Sequence, residues 1–337
     1  MSRPVTTMTR VRTRAGGVVL CLVLITLLAA STRLALGTRI AAPGDILAVL
    51  TGGGRGALRF MILQDRLPAV ISSVLAGAAL AVSGGLFQRL LRNPLASPDV
   101  IGVGYGASAA TVFGMLSLGL SGWWLTGFAL VGAIAVGAAI LAMALGGRDL
   151  GTRLILSGIA IGAALVAVVN LLLTRTDVRT AGDALHWLTG SVTDSSWPQL
   201  AALAGSLVVL LALTAWVAPG LALLELGDDT ARSLGRRAGA LRVGVVVLGA
   251  ALTAVAVAVV GPLAFVSLMA HPLATRLLGG RGNLAVTALT GTTLVVVADL
   301  ISAHLFGLSS GLPVGVLTGV IGAVFLLTLL SRERSRA

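Results

Sequence analysis

The chain is 337 residues long, and 57% of its residues are hydrophobic whereas only 11% are charged. This composition excludes a soluble globular protein, because too few polar residues remain to cover a water-facing surface. The formal charge of +12 comes entirely from arginine, since the sequence contains no lysine. A P-loop ATPase needs a lysine on the nucleotide phosphates, so hydrolysis of ATP by that route is excluded as well.

Ten apolar segments follow one another along the chain; the eighth is short, and the others are close to the length of a membrane-spanning helix. They predict an all-α polytopic membrane protein with about ten transmembrane helices in a single transmembrane domain, residues 1–337. The predicted spans are residues 16–36, 66–87, 100–120, 124–145, 154–173, 200–217, 243–260, 265–278, 284–304 and 313–330. Residues 1–31 also fit a cleaved signal peptide, but we favour an uncleaved first span because the remaining chain is membrane-bound too.

The arginines are distributed unevenly between the two sides of this topology. Seventeen arginines lie in the segments on one side of the membrane and seven in the segments on the other. The side with more arginines is expected to face the cytoplasm. This bias predicts that both termini are cytoplasmic in a multi-pass plasma-membrane protein surrounded by lipid. It also explains the basic composition without nucleic-acid binding. The most charge-dense internal segment, residues 220–242, is then a cytoplasmic loop.

The sequence offers no constellation for catalysis or metal binding. One cysteine, Cys21, excludes an internal disulfide, and there is no nucleophile with a partner base, no His-x-x-x-His and no acidic cluster. We therefore predict no catalytic residue, no metal site and no cofactor bound by this chain. An ion-driven secondary transporter would need ionisable groups at mid-membrane, and these are scarce. Asp299 is the nearest candidate for such a group. Its carboxylate is expected either to pair with a charge at a helix end or to act in transport or docking.

Two glycines form a Gly-x-x-x-Gly pattern in the fifth predicted span, Gly158 and Gly162. Close packing of helices is one interpretation, because small residues let two backbones approach. The other is the smooth wall of a pathway for a bulky solute.

Four blocks of residues carry a resemblance that covers nearly the whole chain. They are Arg66-Leu67-Pro68 with residues 77–84, Gln88 with residues 92–103, residues 226–235, and residues 261–266 with residues 312–323. In this order and spacing, the chain resembles the permease subunits of ATP-binding-cassette (ABC) importers for iron-siderophore complexes, haem and cobalamin. Ferric siderophores are the expected substrate class, and cobalamin or haem is the alternative.

The resemblance implies a set of partners. A ten-helix permease of this kind pairs with a second permease, homologous or identical, and binds a cytoplasmic dimer of ABC ATPases. It receives substrate from an extracytoplasmic siderophore-binding protein. ATP would act only through the partner ATPase.

The resemblance also implies roles for individual residues. Docking of the binding protein is assigned to Arg66 and His304, although Ala69 and Gly311 stand where relatives often carry further charged residues. The translocation pathway is assigned to Gly158, Gly162 and Asn170. Contact with the ATPase is assigned to residues of the 220–242 loop, namely Asp228, Asp229, Ala231, Arg232, Leu234 and Gly235.

Overall fold

The computed structural model describes residues 5–37, 40–53, 56–145, 150–226, 233, 238–304 and 312–334. These residues form an all-helical protein without strands, as the sequence predicts. The helices are α1 Val5–Ala35, α2 Pro43–Leu50, α3 Gly56–Phe60, α4 Leu67–Leu91, α5 Pro98–Ile101, α6 Val103–Leu118, α7 Gly122–Ala144, α8 Leu150–Leu173, α9 Val178–Thr189, α10 Trp197–Glu225, α11 Ala238–Val260, α12 Val266–Leu277, α13 Leu284–His304 and α14 Val314–Arg334.

Each of the ten predicted spans has a helix in the described part of the chain. Eight helical segments there are long and apolar enough to cross a membrane. The other two, α6 with 16 residues and α12 with 12, are shorter. The second span is longer than predicted, because α3, a π-helical turn at Met61–Arg66 and α4 form one continuous segment, Gly56–Leu91. The side of the membrane on which the termini lie stays a prediction.

Helix α4 forms the centre of the bundle and packs against α10, α11, α12 and α13. Its sequence is rich in alanine, glycine and serine, which permits close contact between backbones. A Cβ atom added at Gly77 would lie 2.6 Å from the carbonyl oxygen of Gly291, and one added at Gly84 would lie 2.9 Å from the Cα of Ser267. No larger side chain fits either position without moving a neighbouring helix.

The outer helices expose apolar side chains instead of burying them. Leu28 in α1 is 70% exposed, and Val208 and Trp216 in α10 are 70% and 78% exposed. Exposed leucine, valine and tryptophan on long helices suit a hydrocarbon environment and not water. The chain is therefore a multi-pass membrane protein with a small-residue centre and a lipid-compatible exterior.

Candidate translocation site

A cavity of about 480 Å³ lies beside α6 and α8. The end of α9, the connection from α11 to α12 and the start of α14 complete its wall. Apolar side chains dominate the lining, and its main polar groups are Asp99, Tyr105, Ser108, Asn170 and Thr189. The structure thus places Asn170, one of the predicted pathway residues, on the wall of this cavity.

The turn between α4 and α6 positions Asp99 at this cavity. Helix α4 ends where Arg92 adopts a left-handed conformation, with φ of 49°. The side chain of Asn93 then accepts a hydrogen bond from the amide of Leu95 at 2.9 Å, which closes the turn. The hydroxyl of Ser267 donates to Asp99 Oδ2 at 2.6 Å. Burial raises the pKa of the Asp99 carboxyl, and the Ser267 hydrogen bond opposes that shift.

The two glycines of the fifth span contact the helices that carry this turn. A Cβ atom added at Gly158 would lie 2.7 Å from the carbonyl carbon of Ile101, and one at Gly162 would lie 2.8 Å from Cδ2 of Tyr105. Both glycines are buried. Close packing therefore accounts for Gly158 and Gly162, and their place in the pathway stays a prediction. Tyr105 covers Gly162 and lines the cavity, so the packing fixes the cavity wall.

Three glycines, distant in sequence, meet at the far wall of the cavity. Gly190 and Gly261 have φ of 77° and 71°, a conformation that favours glycine. The amide of Gly315 donates to the carbonyl of Gly190 at 3.2 Å, and the amide of Ser191 donates to the carbonyl of Val260 at 2.9 Å. This junction joins the end of α9 to α11 and α14. It brings the motif at residues 261–266 next to the motif at residues 312–323.

Sequence reasoning missed the contribution of Gly190 to this junction. Gly190 stands outside the four motif blocks, and only its position after the amphipathic α9 could have drawn attention to it. A Cβ atom added there would lie 3.0 Å from the carbonyl carbon of Pro262.

The predicted outer end of the bundle contains a buried ionic cluster. Arg33 of α1 pairs with Asp299 of α13 at 3.0 Å, and both side chains are less than a tenth exposed. The helix-end pairing expected for Asp299 is thereby confirmed. The two predicted docking residues, Arg66 before α4 and His304 at the end of α13, lie at this same end of the bundle.

At this end of the bundle Arg66 stabilises the end of α1. Its guanidinium donates to the carbonyls of Leu34 and Ala35 at 2.7 and 3.2 Å, and the residue is only 1% exposed. His304 ends α13, with Nδ1 3.0 Å from the carbonyl of Leu300. A role of Arg66 in docking, which stays a prediction, requires the guanidinium to leave these carbonyls.

Comparison with known proteins decides the family. The model of the FecCD transport family matches residues 21–332. The chain belongs to the FecCD transport family.

Relatives of this FecCD protein are permeases of several transport systems. It is 36% identical to the achromobactin transport system permease protein CbrC of Dickeya dadantii, over 96% of this chain and 93% of the relative. It is 35% identical to the ferric enterobactin transport system permease protein FepG of Escherichia coli, over 86% and 88%. It is 34% identical to the Fe(3+)-citrate import system permease protein YfmE of Bacillus subtilis, over 96% and 98%.

A solved structure of similar fold is that of a metal-chelate type ABC transporter in an inward-facing conformation. The TM-score is 0.82 and the identity 25%, with 94% of this chain and 99% of the other covered. The FecCD protein is accordingly a membrane permease and not an enzyme.

The predicted ATPase contacts lie outside the described residues of this FecCD protein. This applies to Asp228, Asp229, Ala231, Arg232, Leu234 and Gly235. Of the predicted loop at 220–242, the first residues still belong to α10 and the last belong to α11. Glu225, at the end of α10, accepts hydrogen bonds of 2.6 and 3.3 Å from Arg89 of α4. The helix that enters the loop is therefore attached to the central helix of the bundle.

Proposed function

We propose that this chain is the permease subunit of an ABC importer that moves ferric-siderophore complexes across the plasma membrane. One observation carries the proposal. Residues 92–103, 261–266 and 312–323, three blocks that resemble this importer class, are far apart in sequence yet converge on one cavity. The relatives named for achromobactin, enterobactin and Fe(3+)-citrate support ferric chelates over cobalamin or haem.

The residues that line the cavity would form one wall of the translocation pathway. Its largely apolar lining offers few groups that bind a chelate tightly, which suits a passage that must release its solute. Asn170, Tyr105 and Ser108 supply isolated hydrogen-bonding groups along this wall. A second permease subunit, homologous or identical, would supply the opposite wall.

The partners follow from the same assignment. A cytoplasmic dimer of ABC ATPases would bind the segment between α10 and α11, and an extracytoplasmic siderophore-binding protein would dock at the end that contains Arg66 and His304. The permease would bind no cofactor itself, and ATP would act through the ATPase. Binding of ATP must favour one of two permease conformations, because only differential contact shifts such an equilibrium.

Transport assays test this proposal directly. Proteoliposomes would contain the permease with its ATPase, and radioactive iron would be supplied as a ferric siderophore on the binding protein. We expect uptake that requires internal ATP, persists with a proton uncoupler and fails with haem or cobalamin. Uptake that collapses with the uncoupler but ignores ATP depletion would establish an ion-driven transporter instead.

A further inference from the structure

A second cavity, of about 490 Å³, lies at the opposite end of the bundle from the Arg33–Asp299 pair. The ends of α4, α10, α12 and α14 surround it, at the side for which the arginine bias predicts the cytoplasm. We call it the basic pocket. Its charged residues are Arg89, Arg92, Arg276 and Glu225.

Among the described residues, two of the three guanidinium groups in the pocket have no carboxylate partner. Arg89 is neutralised by its two hydrogen bonds to Glu225. Arg92 donates to the backbone carbonyl of Leu224, and Arg276 lies 5.5 Å above the ring of Phe325. In the part of the chain that the structure describes, neither Arg92 nor Arg276 has a carboxylate within 4.0 Å. The basic pocket therefore favours an anion, and arginine suits phosphate in particular.

Two buried polar atoms in the lining have no hydrogen-bond partner among the described residues. Gln88 is 4% exposed; its Nε2 donates to the carbonyl of Leu268 at 3.0 Å, but its Oε1 accepts nothing. The hydroxyl of Thr275 is likewise unpartnered. Burying such groups without partners is costly, so a ligand donor that reaches them would be favoured. For the Gln88 oxygen, a hydroxyl group is such a donor.

The pocket also borders an apolar surface of α14. Leu329 lines the cavity and Phe325 stands one turn before it, against Arg276. Phe325 and Leu329 lie one turn apart on the same face of α14 and therefore give the pocket an apolar side.

We propose that the basic pocket binds the headgroup of an anionic phospholipid that carries free hydroxyls, of the phosphatidylglycerol type. The phosphodiester would lie between Arg92 and Arg276, and a headgroup hydroxyl would donate to Gln88 Oε1 and contact Thr275. The acyl chains would follow α14. A carboxylate of a partner protein fits less well, because it offers acceptors only and leaves the Gln88 oxygen unpaired. Basic pockets between helices at the cytoplasmic side are suited to such headgroups.

Native mass spectrometry of the detergent-purified full chain tests the proposal, with phosphatidylglycerol, zwitterionic phosphatidylethanolamine and glycerol 3-phosphate as probes. We expect phosphatidylglycerol to bind most tightly and the Arg92→Gln/Arg276→Gln double variant to lower its affinity about tenfold or more, since each arginine loses a charge-assisted hydrogen bond. Arg153→Gln is the matched control, because Arg153 is an exposed arginine outside the pocket. An equal loss of affinity for phosphatidylglycerol in Arg153→Gln would overturn the proposal. Binding of phosphatidylethanolamine as tight as that of phosphatidylglycerol would overturn it too.

A second variant distinguishes the contribution of the headgroup hydroxyl to binding from that of the phosphate. Thr275→Val removes an unpartnered hydroxyl and should leave the fold intact. We expect it to weaken phosphatidylglycerol binding about threefold, as for one neutral hydrogen bond, and to leave binding of phosphatidic acid, which lacks the glycerol headgroup, unchanged. Binding of glycerol 3-phosphate as tight as that of the lipid would overturn the lipid assignment. A double variant that no longer co-purifies with the ATPase but still binds the lipid would also overturn it, because the pocket would then bind a partner protein.

Discussion

Removing one partner of the buried pair between Arg33 and Asp299 should strongly destabilise the permease. The two atoms are 3.0 Å apart, and the side chains are only 7% and 2% exposed, so water cannot screen either charge. Asp299→Asn leaves the Arg33 charge buried without its counter-ion. Breaking one side of a buried pair typically costs about 3–5 kcal/mol of folding free energy. We expect a loss in this range for Asp299→Asn.

Unfolding of the purified chain in mixed micelles measures this loss, and a double-mutant cycle with the single variants Arg33→Met and Asp299→Leu isolates the pair. Arg33→Met combined with Asp299→Leu removes both charges and should recover most of the stability, because an apolar replacement avoids the desolvation penalty. Asp183→Asn, an exposed acid in α9, serves as the control and should change stability by less than about 0.5 kcal/mol. The reasoning fails if Asp299→Asn matches the control or if the double variant is as unstable as the sum of its parts.

Three further variants test the packing and the assigned contacts. Gly162→Val should lose about 1–3 kcal/mol of stability through overlap with Tyr105, whereas Gly205→Val, where a Cβ meets nothing within 4 Å, should be tolerated; thermal unfolding compares them. Arg66→Glu should reduce substrate delivery while ATPase assembly is kept, and normal uptake at low binding-protein concentration would contradict the docking role. Ala231→Arg should reduce ATPase co-purification and uptake together, and unchanged assembly and transport would refute the coupling role of the loop.

The sequence predicted the helices better than it predicted their contacts. Apolar length alone located all ten helical segments, because membrane thickness fixes how long a span must be. It placed the start of the second span at Arg66, whereas the helical segment begins at Gly56, because the π-helical turn at Met61–Arg66 joins two helices without a break. A local extra residue per turn leaves no mark in a hydropathy pattern.

The candidate site was predictable only in part. The motif blocks that contribute residues to the cavity were recognisable in the sequence, but of the lining residues only Asn170 was assigned to the pathway, from the family resemblance. Their assembly could not, because the junction of Gly190, Gly261 and Gly315 depends on backbone hydrogen bonds between segments that are more than 50 residues apart. Arg66 was expected on an exposed docking surface, yet the carbonyls at the end of α1 bind its guanidinium. A single arginine in a sequence carries no information about which acceptors it will find.

The segment between Gln88 and Asp99 connects the proposed ATPase end of the molecule to the cavity. Its first residues contact α10, where Arg89 pairs with Glu225. Its last residue, Asp99, accepts the Ser267 hydroxyl of α12 at the cavity. A movement of Glu225 at the end of α10 would therefore either break the Arg89 pair or shift this segment.

Contiguity of this kind does not by itself establish coupling between two sites. It does identify the contacts whose loss would separate ATP hydrolysis from transport. If the segment carries the motion, removing the Arg89–Glu225 pair will leave the ATPase bound and active while substrate uptake falls. If another route carries the motion, the rates of ATP hydrolysis and of substrate uptake will stay in proportion. The ratio of the two rates, and not either rate alone, distinguishes these mechanisms.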